Sequence, residues 1–249
     1  MKVGAFIPLC DDKWYSRDIA LQAVLHQTRK PDMVYIIANS LDAQRYNMLV
    51  QKYRNRGYDG VKLFCWSSWN EHAFVSKIPS IAVSRQIILM LANMHKLDYI
   101  WMVDSDIEPP EDALERMLAV DAVAVSAVCY SNEDRCFNVP YVFQWEPPPG
   151  YEGIAVAHFV RDLPKKGILH SDKYYTGFGC VLLKNVPEIH DAGMFEMQSI
   201  QNNEAEDLRF WRVVREKGIY PAVICDLHCK HHREDGVIAP SWLAKKIST

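Results

Sequence analysis

Short β-branched runs alternate with helix-patterned stretches through the first half of this chain, and that alternation restricts the fold more than any other feature. The runs are Val3–Pro8, Met33–Ala38, Val61–Trp66, Tyr99–Val103 and Ala122–Val128. Between them, Arg17–Gln27, Asp42–Arg56, Ser80–His95 and Glu111–Leu118 carry helical patterns. Strand and helix in strict succession predict an α/β architecture, a mostly parallel sheet with helices on both faces. Ile81, Ile88, Leu91 and Ala92 recur at spacings that keep one face of their helix inward. Pro110 followed by Glu111 and Asp112 predicts a helix start, because proline is tolerated at the first position and acids suit the N-terminal dipole.

A chain of 249 residues with 49% hydrophobic content can bury a sizeable core, so a single domain over 1–249 is expected. With 28 basic against 31 acidic residues, there is no electrostatic reason to expect a nucleic-acid partner. Seven cysteines, an odd number without a framework, predict reduced thiols and a cytoplasmic setting. The opening Met1–Pro8 is too short an apolar stretch for a signal peptide. Nothing approaches the ~20 apolar residues of a transmembrane segment. A membrane-bound acceptor would then be reached from the surface, by peripheral association.

Organisation changes after Cys129. Ser131–Gly153, with Pro140 and Pro147-Pro148-Pro149-Gly150, reads as a loop or lid unable to hold a regular element for long. Its aromatics Phe137, Tyr141, Phe143, Trp145 and Tyr151 suit either packing or sugar stacking. Strands are expected at Ile154–Val160, Cys180–Leu183 and Tyr220–Cys225, a helix at Ala205–Lys217, and a polar tail after Arg233 that turns apolar at Trp242-Leu243.

Chemistry concentrates in four places. Asp104-Ser105-Asp106 stands directly behind the apolar run Tyr99–Val103, at a strand end, where open α/β sheets place their sites. Side chains at i and i+2 of an extended segment point the same way, so both carboxylates would address one hard cation and, through it, a diphosphate. The plainer reading is a turn that caps the next helix. Glu204-Ala205-Glu206-Asp207 opens a helix; a first-turn carboxylate there serves as general base or supports Arg209 and Arg212 by local ion pairs. Cys225-Asp226-Leu227-His228-Cys229-Lys230-His231-His232 is dense in metal-ligating types. It lacks the two separated pairs of a structural zinc site, so a nitrogen ligand for the cation at Asp106 is the better use. Thr176-Gly177-Phe178-Gly179 permits close backbone approach to a ligand, or marks a bulge before the next strand.

Taken in order, these patterns resemble the family-two-like glycosyltransferases of the GT-A fold. The resemblance rests on Val3–Pro8, Gln27-Thr28 with Pro31-Asp32, Ser84-Arg85, Asp104-Ser105-Asp106, Thr176–Gly179, Glu206-Asp207 and the closing histidines. It implies transfer of a sugar from a UDP- or GDP-linked donor, usually with inversion, assisted by Mn2+ or Mg2+. The acceptor would be a glycan, a lipid-linked molecule or a protein, and a homodimer is a compatible assembly. Residues 1–128 would form the nucleotide-binding half and 129–249 the acceptor-binding half. Asp106 is implied as the metal ligand, with Asp104 on the ribose or a metal-bound water, and His231, then His228, as the nitrogen ligand. Pro8, Leu9, Asn39, Arg85, Asp104 and Ser105 would face the nucleotide, and Gly177, Phe178 and Gly179 the sugar. Asp207 would be the catalytic base, with Glu206 orienting the acceptor. Two rivals are a nucleotidyltransferase that makes the activated sugar and a non-catalytic sugar-binding module. The first would show a Gly-rich, basic loop after the opening strand, unlike Leu9-Cys10-Asp11-Asp12-Lys13-Trp14.

Overall fold

Val3–Cys10 runs near the middle of an eight-stranded sheet. Its order is Ile168–His170, Pro221–His228, Ala124–Val128, Cys180–Lys184, Tyr99–Val103, Val3–Cys10, Met33–Asn39, Val61–Trp66. The computed structural model describes residues 1–67, 78–131, 139–146, 156–160, 162–194 and 206–238. The last four strands pair in parallel. Cys180–Lys184 runs antiparallel between Tyr99–Val103 and Ala124–Val128. Pro221–His228 returns parallel to Ala124–Val128, and Ile168–His170 closes the edge antiparallel. Strands from both halves of the sequence therefore share one sheet.

The central strands are buried on both faces, which is why they read as continuous β-branched runs rather than as alternating ones. Val3, Ala5, Ile7 and Leu9 pack on one side with Trp101 and Val103, against Ala20, Leu21, Tyr46 and Tyr53 of the helices Ile19–Leu25 and Ala43–Arg54. Phe6, Ile100 and Met102 pack on the other, against Ile88, Leu89 and Ala92 of the helix Ile78–Met94 and Phe210 and Val214 of the helix Glu206–Glu216. Asp42 starts Ala43–Arg54 by accepting the Arg45 N–H at 2.9 Å. The helix expected at Pro110 begins at Ala113, and the Pro110 carbonyl accepts the Ala113 N–H at 3.0 Å.

The loop assigned to Ser131–Gly153 is corrected in part. Val142–Glu146 is a strand, paired antiparallel with Val156–Phe159 and with Tyr174–Thr176. Pro140 and Pro147-Pro148-Pro149, which flank it, hid it from a reading of the local pattern. Pro147–Gly150, Phe137 and Tyr151 lie outside the described residues, as do Glu204, Ala205 and Trp242-Leu243. The aromatics that are described pack on one another: Phe143 stacks on Tyr175 with centroids 4.9 Å apart, and Tyr141 meets Phe143 edge-on at 4.8 Å. A second small sheet joins Lys230–Arg233 to Ile107–Glu108 and to Gly236–Ile238. Among the described residues no helix is long and apolar enough to cross a membrane, and the six described cysteines are free thiols.

Candidate active site

Neighbouring parallel strands end together, with Cys10 in register with Asn39, and Asp104 follows Val103 one strand away. This crest walls a cavity of about 350 Å³ lined by Pro8, Leu9, Asn39, Ser84, Asp104 and Ser105. A second cavity of about 250 Å³ is lined by Arg85, Asp106, Gly179, Glu206, Asp207 and His231. Lys13, Ile81 and Asp104 line both. The crest thus gathers residues from positions 8 to 231 around two adjoining hollows that share Lys13, Ile81 and Asp104.

Asp104-Ser105-Asp106 is a turn, closed by the Ile107 N–H donating to the Asp104 carbonyl at 2.9 Å, and not the extended segment expected. The two carboxylates accordingly part company. Asp104 receives Arg85 Nη2 at 3.0 and 3.3 Å. Asp106, 2% exposed, receives Lys13 Nζ at 2.6 Å and faces His231 Nε2 at 3.3 Å, both on Oδ2. Burial alone would raise the Asp106 pKa, but the His231 hydrogen bond and the Lys13 ammonium hold it down at about 2. Ser105 turns inward and takes a hydrogen bond from Ser16 Oγ at 3.1 Å.

Glu206 and Asp207 open their helix as expected, and both are buried. Arg85, 3% exposed, joins them to Asp104: its Nη1 donates to Glu206 Oε1, and its guanidinium lies 4.9 Å from the Phe178 ring centroid. Asp207 accepts the Leu208 N–H at 2.8 Å. Burial and the neighbouring Glu206 carboxylate push its pKa up to about 7 against the pull of Arg85. One buried cation therefore separates three carboxylates. Arg85→Met, which leaves them facing each other unpaired, is expected to cost about 3–5 kcal/mol of stability, read as a drop in the denaturant midpoint.

Thr176–Gly179 leads into Cys180–Lys184 directly opposite the acidic turn, and the Asp104 N–H donates to the Gly179 carbonyl at 2.9 Å. Each glycine has a packing reason. A Cβ on Gly177 would strike the Tyr141 ring, and one on Gly179 would come within 2.9 Å of Cys129 Sγ. Gly179 and Phe178 line the smaller cavity. Phe178 is itself a core residue, stacked on Trp211 at 5.7 Å, that supports Arg85 from below.

The histidine segment reaches the acids by strand pairing. His231 pairs with Ile107, and the His232 N–H donates to the Asp106 carbonyl at 2.7 Å. His231 Nδ1 donates to the Tyr130 carbonyl at 2.7 Å, which leaves Nε2 facing Asp106. His228 goes elsewhere: its Nδ1 meets the Tyr130 hydroxyl at 2.6 Å. On either side of His231, Lys230 and His232 both bond Glu108, at 2.5 and 2.6 Å, and so pin the strand that presents it. Among the described residues no group of three His, Cys, Asp or Glu side chains is gathered tightly enough to hold a metal ion. Asp106 and His231 nevertheless fit a hard cation shared with a diphosphate, since Mn2+ and Mg2+ keep waters and take few protein ligands beside phosphate oxygens. Asp106 already faces the Lys13 ammonium and the His231 ring with one oxygen.

Lys13, Ile81 and Tyr130 also line these cavities, although no local pattern singles them out for the site; Tyr141, one of the aromatics suited to packing or stacking, lines the smaller cavity. Lys13 follows the first strand in a loop dominated by its neighbouring acids, and only the fold reveals its contact with Asp106, 93 residues away.

No family model and no curated protein sequence matches the chain. Solved structures do. GalNAc-T7 with UDP, GalNAc and Mn2+ superposes with a TM-score of 0.61 at 10% identity, over 93% of this chain and 44% of that one. S. aureus TarS 1-349 in complex with UDP-GlcNAc gives 0.54 at 14% identity, over 92% and 57%. The 4-diphosphocytidyl-2C-methyl-D-erythritol synthase of Anaerococcus prevotii gives 0.52 at 10% identity, over 99% and 94%. The chain spans about half the length of the first two. At these identities the likeness concerns the fold alone, and the fold is GT-A.

Proposed function

We propose that this protein transfers a sugar from a nucleoside-diphosphate donor to a hydroxyl acceptor, with inversion. The observation that carries the reading is the pair of adjoining cavities, one at the strand ends and one floored by Asp106, His231, Glu206 and Asp207. The larger suits a nucleoside, with Pro8, Leu9 and Asn39 along it. The smaller suits the sugar and the acceptor hydroxyl. GalNAc-T7 and TarS, of the same fold, have been crystallised with UDP and Mn2+ or with UDP-GlcNAc.

In this reading the acceptor oxygen forms a bond to the anomeric carbon while the bond from that carbon to the diphosphate oxygen breaks. The electron pair leaves with the nucleoside diphosphate, and the acceptor proton passes to Asp207. Asp106 and His231 would hold Mn2+ or Mg2+, which when bound would supply charge neutralisation for the leaving diphosphate. Arg85 holds Glu206 and Asp104 in place around the reacting atoms, and Glu206 orients the acceptor. We place the enzyme in the cytoplasm, peripheral to a membrane when its acceptor is lipid-linked. As an assembly we propose a single 1–249 domain able to act as a homodimer.

The second reading, nucleotidyl transfer to a sugar phosphate, is favoured by the near-complete coverage of the Anaerococcus prevotii enzyme. The loop Leu9–Trp14, with two acids to one lysine, speaks against it. Incubation with a panel of UDP- and GDP-sugars and Mn2+ separates the possibilities. Release of nucleoside diphosphate is the expected result. Consumption or release of pyrophosphate would establish the nucleotidyltransferase instead, and binding without any product a non-catalytic sugar binder.

A further inference from the structure

Lys13 stands where the two cavities meet. It lines both, and its ammonium lies 2.6 Å from Asp106 Oδ2, the oxygen that His231 Nε2 also faces. A donor with its nucleoside in the larger hollow and its sugar in the smaller must carry its diphosphate across this junction. We propose that Lys13 is a built-in competitor for the divalent cation at Asp106 and, once displaced from that carboxylate, a direct ligand of the donor's diphosphate. This rests on the sugar-transfer reading above.

Three features support it. First, Asp106 is almost fully enclosed while the Lys13 side chain is 43% exposed, so the lysine can leave and the carboxylate cannot follow. Second, Lys13 is the residue at which the short helix Asp11–Ser16 departs from helical geometry, with φ −104° and ψ 22°. Its long, flexible stem rises from an irregular backbone at the rim and not from a packed helix face. Third, as the sugar departs, the nucleoside diphosphate gains about one further negative charge. A tethered ammonium released at the moment a cation arrives supplies a matching positive charge beside the phosphates without importing another ion. The same ammonium, resting on Asp106 when no donor is present, keeps a buried carboxylate paired.

The test uses Mn2+ alone and then UDP and GDP. Mn2+ binding is followed by the electron paramagnetic resonance signal of the free ion, and nucleotide binding by calorimetry. Lys13→Met is expected to bind Mn2+ about tenfold more tightly than the native protein, because Asp106 no longer has a resident cation. At saturating Mn2+ it is expected to bind the preferred nucleoside diphosphate about tenfold more weakly, with affinity for the bare nucleoside unchanged. Lys13→Arg, which keeps the charge, should restore most of the diphosphate affinity. A purely structural lysine would move neither quantity in opposite directions. Unchanged or weakened Mn2+ binding in Lys13→Met overturns the competition, and unchanged diphosphate affinity overturns the contact with the donor. A native protein that takes up neither diphosphate with Mn2+ overturns the sugar-transfer reading itself, and the Mn2+ titration still decides the competition at Asp106.

Discussion

Asp106→Asn is expected to abolish the effect of Mn2+ on nucleoside-diphosphate binding and to lower affinity at saturating Mn2+ by at least about tenfold. The substitution keeps shape and removes the charge onto which Lys13 and His231 converge. Its cost to the fold is bounded by the same contacts. Asp106 falls from an ordinary value of 3.8 to about 2 in the folded protein, which corresponds to about 2 kcal/mol. The sign follows from the direction. A depressed carboxylate contributes its full stabilisation above pH 3.8 and loses it as the pH falls toward 2, so the native protein is expected to weaken in that acidic window. At neutral pH the variant should remain folded, and circular dichroism checks this before the calorimetry is read. An Asp106→Asn protein that still responds to Mn2+ would place the cation elsewhere.

Asp207→Asn is expected to leave donor affinity within about twofold of native while turnover falls about 10²–10⁴-fold, the usual span for loss of a positioned general base. Its pH behaviour distinguishes this role from a structural one. Burial beside Glu206 raises the Asp207 pKa to about 7, so in the native enzyme kcat/KM should rise with pH through that value as the base loses its proton. The same shift acts on stability in the opposite sense. Between pH 3.8 and about 7 the folded protein holds a proton that the unfolded chain releases, so stability declines as pH rises through that window. Asparagine has no such proton. The variant is therefore expected to lose both the acid limb of the rate profile and the decline of stability between pH 3.8 and about 7, and to melt higher than native at pH 8. Retained turnover would move the base to Glu206, its buried neighbour.

The sheet was legible where strands are buried on both faces. Tyr99–Val103 matches its expected bounds, because a strand buried from Ile100 to Val103 writes an uninterrupted apolar run, and Val61–Trp66 matches as well although it is the edge strand, with Lys62 in its run and Phe64 exposed. What escaped was held by distant partners. Ile107–Glu108 is two residues long and is held by its pairing with Lys230–Arg233, and Val142–Glu146 sits between two partners, Val156–Phe159 and Tyr174–Thr176. The site divides along the same line. Asp104, Asp106, Glu206 and Asp207 could be singled out because strand ends and helix starts concentrate carboxylates at positions chemistry uses. Their geometry could not, since a turn and not an extended segment sends Asp104 to Arg85 and Asp106 to Lys13. Choosing between His231 and His228 required the pairing of Lys230–Arg233 with Ile107–Glu108, which brings His231 to Asp106 while the His228 ring meets the Tyr130 hydroxyl. No local pattern encodes that pairing.

In the proposed reaction an acidic hollow at the strand ends grips a cation so that a diphosphate can be bound and expelled. Calorimetric titration of EDTA-stripped protein with UDP and with GDP, before and after Mn2+ is restored, tests this most directly. One of the two nucleotides is expected to bind at least about tenfold more tightly once Mn2+ is present. Equal affinity with and without the ion, for both nucleotides, would contradict that reaction.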